Sequence, residues 1–255
     1  MGIAELLTPV NTVTFLLLFI RISSLMAFMP FFNYVNIPMS AKAALAIWLS
    51  ILFYPIVPKI TFEINLINLV LAIFNETAFA FFVGTALQLI FDILKFAAEQ
   101  ISFVMGFTMA NVIDPNFGGQ STILSQFFIW IAILIFISFG GDHLEILYMS
   151  KMMQALPFGA FFNYHSVYEY FIVYMGKYFL LGIGFAFPIL AISLMSDIIF
   201  AMIMKTMPQF NLLVVGFPIK ITISFIVLII ILSSMMSVFS SQIKEAFNAI
   251  LGFIG

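Results

Sequence analysis

Long hydrophobic runs, cut at intervals by proline, glycine or a single charge, pattern this 255-residue chain. The first runs from Val10 to Met29, holds Arg21 near its middle and stops at Pro30. A second, Ala41 to Val57, is bounded by Pro38 on one side and by Pro55 and Pro58 on the other. Leu66 to Ala110 contains no proline and is too long for one perpendicular span, so it predicts one tilted helix or two stacked ones. Asn111 to Ser121 joins Asp-Pro to Gly-Gly, strong breaker signals that predict a loop between helices. Thr122 to Phe139 is the cleanest apolar run and ends at Gly140-Gly141. From Asp142 to Asn163 the pattern is mixed, with an amphipathic turn or two around Leu144 to Gln154 and a break at Pro157. Val167 to Met204 predicts a long helix kinked near Pro188, since proline removes a backbone bond and crowds the preceding turn. Pro208 begins the next break. The last helix, Asn211 to Ile250, has an apolar centre and turns polar at Ser240, Ser241, Gln242, Lys244 and Glu245.

These runs predict an all-α, integral membrane-type protein of about six to eight long, partly kinked helices. Composition strengthens that reading: 64% of the residues are apolar and 8% are charged, against about a quarter charged in a soluble domain. Nine Lys and Arg nearly balance eleven Asp and Glu and are scattered singly, so no basic stripe exists to hold a phosphate backbone, and nucleic acid is not an expected partner. The absence of cysteine excludes disulfides, thiolate metal sites, iron–sulfur clusters and thiol catalysis. Lys59, Lys151, Lys205 and Lys244 are too evenly spread to set an orientation. No Lys or Arg precedes Arg21, so the first apolar segment is expected to persist rather than be cleaved as a leader.

Ionisable groups among lipid-soluble residues need a partner or an aqueous wall. At 100° per residue Gln88, Asp92, Lys95 and Glu99 fall within about 60° of one another and form one polar stripe. Lys95 can meet Asp92 at i, i+3 and Glu99 at i, i+4. The stripe is therefore either a self-paired cluster at a packed interface, or a face turned to a water-filled conduit or a neighbouring subunit. Arg21 and Glu76 can pair across helices, as a structural pair or as part of a proton relay. Catalytic templates are missing: there is no His-Glu-x-x-His, no Gly-x-Ser-x-Gly, and Gly140-Gly141-Asp142 lacks the first glycine of an aspartyl signature. Asp142, His143 and Glu145, with one imidazole among them, read as solvated loop residues rather than a metal site, and no metal or cofactor is expected. Met105 and Met109 stand one helical turn apart before the loop; they fill core gaps, or their flexible thioethers form a deformable seal around a pore.

At Lys205-Thr206-Met207-Pro208-Gln209-Phe210-Asn211, followed by Val215-Gly216-Phe217-Pro218-Ile219-Lys220, the chain resembles the FliR/SctT family, the R subunits of the type III protein-export gate. Its members carry a basic residue, then Pro-Gln-x-Asn, then Gly-Phe-Pro before the last helix. Arg21 with Pro30, Glu76 with Gly84, Asp114-Pro115, Gly140-Gly141-x-His143 and Pro188-x-x-Ala191 extend the likeness over nearly the whole chain. Lys205 stands where the family typically has arginine, which keeps a charge contact but not a bidentate one.

The resemblance implies a non-enzymatic subunit that helps form and close a channel for unfolded flagellar proteins. A virulence-type secretion homologue is the near alternative, and a small-solute channel or transporter the remote one. It implies a P-subunit-like part over residues 1–162 and a Q-subunit-like helical hairpin over residues 163–255. Its implied partners are the P and Q subunits, the B-type specificity-switch and A-type export membrane proteins, unfolded substrates, and lipid or detergent. The implied location is the bacterial inner membrane at the flagellar basal body, with part of the assembly raised toward the periplasm. By position, Asn111, Val112, Ile113, Asp114, Pro115, Asn116, Phe117, Gly118, Gly119, Gln120 and Ser121 match the family's pore plug, with Met105 and Met109 beside it as a seal. Arg21, Glu76, Gln88, Asp92, Lys95, Glu99, Lys205, Pro208, Gln209, Asn211, Gly216, Pro218 and Lys220 become buried polar or intersubunit positions.

Overall fold

A computed structural model describes residues 8–34, 37–107, 122–159, 164–209 and 212–251. The plug segment 111–121, Met109 and Asn211 lie outside these residues. Every regular element among the described residues is helical: α1 (Pro9–Phe28), α2 (Pro30–Tyr34), α3 (Met39–Phe53) with a 3₁₀ turn Tyr54–Ile56, α4 (Leu66–Met105), α5 (Ile123–Ser138), α6 (Gly141–Ala155), α7 (Tyr164–Thr206), a π-turn Leu212–Gly216, and α8 (Phe217–Leu251). Among the described residues five stretches are long and apolar enough to cross a membrane: α1, α3 with its 3₁₀ turn, α4, α7 and α8. The chain divides into two compact units, one of residues 1–89, 136–173 and 243–255, the other of residues 90–135 and 174–242.

Proline and glycine set the helix ends. Pro9 opens α1 at a position whose N–H would go unused, and Pro30 starts α2 directly after α1 ends. The 40 residues of α4 form one continuous helix rather than two stacked ones. It closes in a Schellman turn: Gly106 adopts φ +88°, its N–H donates to the Phe103 carbonyl at 3.1 Å, and the Phe107 N–H reaches Ser102 at 3.0 Å. The helix thus stops at Met105, short of the expected Ala110. Gly140, at φ +75°, separates α5 from α6. The amphipathic turn or two expected after it is a full helix of 15 residues. Pro188 sits inside α7, which runs helical on both sides of it.

In the first unit, α1 buries Asn11, Thr14, Leu17, Leu18, Arg21, Ile22, Leu25 and Met26, a stripe at 3- and 4-residue spacing, and α3 packs against it. Gly84 of α4 meets the backbone of Phe28: a Cβ built there would stand 2.6 Å from the Phe28 carbonyl carbon and 2.8 Å from its oxygen. In the second unit Phe91, Leu94, Ala97, Ala98 and Ile101 of α4, Phe128 and Ala132 of α5, Ala186, Ile189 and Ser193 of α7, and Leu228 and Phe239 of α8 are buried. Phe91 and Phe239 meet edge to face, with centroids 5.4 Å apart. Elsewhere the helices present apolar side chains outward, such as Trp48, Ile67, Phe103, Leu180 and Ile230. That is the surface expected where lipid or another hydrophobic protein replaces water.

Candidate functional site

Arg21 lies on the buried stripe of α1 and cannot remain charged there alone. Its guanidinium grips Glu76 of α4 in a bidentate pair: Nη2 donates to Oε1 at 2.8 Å and Nε donates to Oε2. The remaining donors go to the segment after α6, with Nη1 on the Leu156 carbonyl at 2.9 Å and Nη2 on that of Pro157 at 3.5 Å. The Gly159 N–H returns a bond to Glu76 Oε1 at 3.0 Å, and the guanidinium carbon stands 4.5 Å from the Phe158 ring centroid. One charge pair therefore clamps α1, α4 and the exit of α6. The sequence marks both charges, but Leu156, Pro157 and Gly159 contribute backbone atoms only, so no residue type there could have signalled the third partner.

Glu145, fully buried on α6, accepts the Phe31 N–H of α2 at 3.3 Å on one oxygen, while its other oxygen has no hydrogen-bond partner among the described residues. His143 turns outward on the same helix and meets Asp142 at 3.1 Å. The Asp142, His143 and Glu145 trio is thereby split between core and surface, and no group of three potential ligands gathers among the described residues.

The polar stripe separates into parts. Gln88 accepts a 3.0 Å bond from Asn33 Nδ2. Asp92, Lys95 and Glu99 are half-buried, and Lys95 makes no salt bridge with Asp92 or Glu99. The i, i+3 and i, i+4 pairing expected from spacing is not formed. Spacing makes such pairs reachable; it does not make them worth the side-chain entropy at a half-wet surface, where a pair contributes about 0.3–0.5 kcal/mol.

Lys220, expected to be a buried polar or intersubunit position, is buried inside its own chain and donates to Asp197 of α7 at 2.7 and 2.8 Å. The two partners differ: the lysine side chain is 9% exposed and the aspartate 51%. Removing the wet partner is therefore worse than removing the dry one. Asp197→Asn strands a buried ammonium and should lower the thermal midpoint of the full chain in detergent, at a cost of about 1 kcal/mol after solvent screening. Lys220→Met leaves only a hydrated carboxylate and should be close to neutral. The reverse order would show that the pair does not hold the hairpin.

Lys205, Thr206, Met207, Pro208 and Gln209, at the end of α7, are all exposed, and Lys205 has no ion-pair partner among the described residues. Across the hairpin Gly216 is buried and Pro218 exposed in the first turn of α8. Met105 is fully buried in its unit. The residues of the recognisable motif thus fall into two groups: Gly216 and Lys220 face inward, whereas Lys205 to Gln209 face out.

Comparison with known proteins covers almost all of this frame. The model of the bacterial export proteins, family 1, matches residues 12–246. The flagellar biosynthetic protein FliR of Bacillus subtilis is 32% identical over 254 residues, covering 94% of this chain and 95% of the relative. FliR of Aquifex aeolicus is 28% identical over 243 residues, with 95% and 94% covered, and FliR of Escherichia coli is 21% identical over 236, with 92% and 88% covered. A match running from before Arg21 to beyond Lys220 takes in the buried clamp, the polar stripe and the hairpin together, and the chain belongs to the bacterial export proteins, family 1.

Proposed function

We propose that this chain is a non-enzymatic subunit of the flagellar type III protein-export gate, in the bacterial inner membrane at the flagellar basal body. The observation that carries the reading is likeness to FliR proteins along more than nine-tenths of the chain. The exposed Lys205 to Gln209 tip and the outward apolar helix surfaces support it, because a subunit in an assembly needs contacts its own chain does not fill. In this reading residues 1–162 are the P-like part and residues 163–255 the Q-like hairpin, joined to P and Q subunits and, beyond them, to the B-type and A-type membrane proteins. Part of the assembly rises toward the periplasm. Lys95 and Glu99, half-buried without an ion partner among the described residues, face a neighbouring subunit that supplies the complementary charges.

Co-purification tests the assignment directly. A tagged full chain should bring down two other small hydrophobic membrane proteins, and Lys205→Glu should reduce their recovery without changing the amount of the chain itself. Recovery of the tagged chain alone, together with solute transport by that single polypeptide in vesicles, would replace the reading with a transporter.

The segment Asn111 to Ser121 is proposed as the plug that closes the pore, supported from Met105 and Met109. Deleting Gly118 to Ser121 should leave an assembled channel that leaks, read as ion conductance of cells expressing the variant with complex abundance measured in parallel. Normal impermeability at normal abundance would move the seal to another subunit.

A further inference from the structure

The first unit contains a cavity that neither the clamp nor the hairpin uses. Between α6 and the end of α8 lies a space of about 380 Å³. From α6 it is lined by Leu144, Leu147, Tyr148 and Lys151, which stand at 3-, 4- and 7-residue spacing on one face. From α8 it is lined by Lys244, Phe247 and Asn248, again one face. Two ammonium groups and an amide therefore border a floor of leucine and phenylalanine, and no carboxylate among the described residues lines the space. Neither Lys151 nor Lys244 has an acidic partner within 4.0 Å among the described residues. Lys244 lies 5.4 Å from the Phe139 ring centroid. Tyr148 is 2% exposed, and its hydroxyl is buried with no hydrogen-bond partner among the described residues.

Compensation of helix dipoles does not account for the lysines. Lys151 is more than one turn from the end of α6 and Lys244 is further from that of α8, whereas the dipole's influence fades within the last turn. Position supplies the rest. The cavity sits where α8 passes from its apolar centre to Ser240, Ser241, Gln242, Lys244 and Glu245, the kind of boundary where a membrane helix leaves hydrocarbon and lysine stems reach for headgroups.

The geometry points to a binding site for an anionic phospholipid, its phosphate held between Lys151 and Lys244 and an acyl chain laid over Leu147 and Phe247. Asn248 is the neutral donor beside the charge, and the Tyr148 ring lines the space. The inference goes beyond the export role and does not rest on it, since it needs only a membrane around the chain.

Native mass spectrometry of the full chain in neutral detergent tests it, with three probes at equal concentration: phosphatidylglycerol, phosphatidylcholine of the same acyl chains, and inorganic phosphate. Phosphatidylglycerol should bind about thirty-fold more tightly than phosphatidylcholine, the factor that corresponds to about 2 kcal/mol for two lysines near an anionic surface. Inorganic phosphate should not displace it. The Lys151→Gln/Lys244→Gln pair should lose the preference, and the Lys151→Arg/Lys244→Arg pair should keep it. Equal binding of the two lipids, an undiminished preference in the Gln pair, or full displacement by inorganic phosphate would each overturn the proposal, the last by showing a bare anion site. If the Gln pair does not accumulate, the three wild-type measurements decide alone.

Discussion

Glu76→Ala should cost the folded chain about 3–5 kcal/mol, because it leaves the Arg21 guanidinium buried without a counter-charge. Set against a total stability of about 5–15 kcal/mol for an ordinary domain, that loss is enough to empty the native state of a marginal protein. The expected observation is a sharp fall in monodisperse full chain recovered in detergent. Arg21→Lys should fall between, since an ammonium cannot hold both carboxylate oxygens and the Leu156 carbonyl in one plane. Replacing both residues by Met removes the stranded charge but leaves the Gly159 N–H and the Leu156 and Pro157 carbonyls short of partners at about 1 kcal/mol each, so it should recover only part of the loss. A wild-type yield for Glu76→Ala would show that the pair does not clamp α6.

The second large effect concerns a single methyl group. Gly84→Ala improves helix propensity by about 1 kcal/mol, yet the added Cβ would stand within 3 Å of the Phe28 backbone. Backbone cannot step aside by changing rotamer, so α1 and α4 must separate, and overpacking of this kind costs about 1–3 kcal/mol, here at the upper end. Clash should win, giving lower yield and a lower thermal midpoint. Gly184 is the control, with nothing within 4 Å of a Cβ built there; Gly184→Ala should leave the isolated chain unharmed or slightly more stable. If it nevertheless blocks recovery of partner proteins, a neighbouring subunit approaches α7 at that glycine.

Helix existence was legible from the runs because proline and glycine cut them cleanly, and the breaks at Pro30, Gly140 and Pro208 fall where the described helices end or begin. Which face of a helix turns inward was legible for an unusual reason. In α1 hydrophobicity is nearly uniform, and three polar residues mark the protein side: Asn11, Thr14 and Arg21 share the phase of Leu18 and Leu25 and are buried with them, while Thr12 is exposed. The same logic correctly joined Arg21 to Glu76. It did not reach the Asp197 partner of Lys220, because an intrachain partner 23 residues away across a hairpin carries no spacing signal, and it failed at Lys95, because local spacing ignores competition from water. The backbone contacts of Leu156, Pro157 and Gly159 were beyond reach, since every residue carries a backbone carbonyl and every residue but proline an N–H.

The length of α4 has a consequence for how the protein is made. Its exposed apolar side chains run from Leu66 to Phe103, about 55 Å along the axis, whereas hydrocarbon is about 30 Å thick. Even at the roughly 40° limit of usual tilt, lipid covers only part of that length. The 43 residues of α7 pose the same problem. A newly synthesised copy placed in a bilayer should therefore keep apolar helix surface outside the hydrocarbon until another protein covers it. Its lifetime in the cell should be set by how soon other proteins cover those ends, so that cellular supply of this chain is governed by the synthesis of its neighbours as much as by its own.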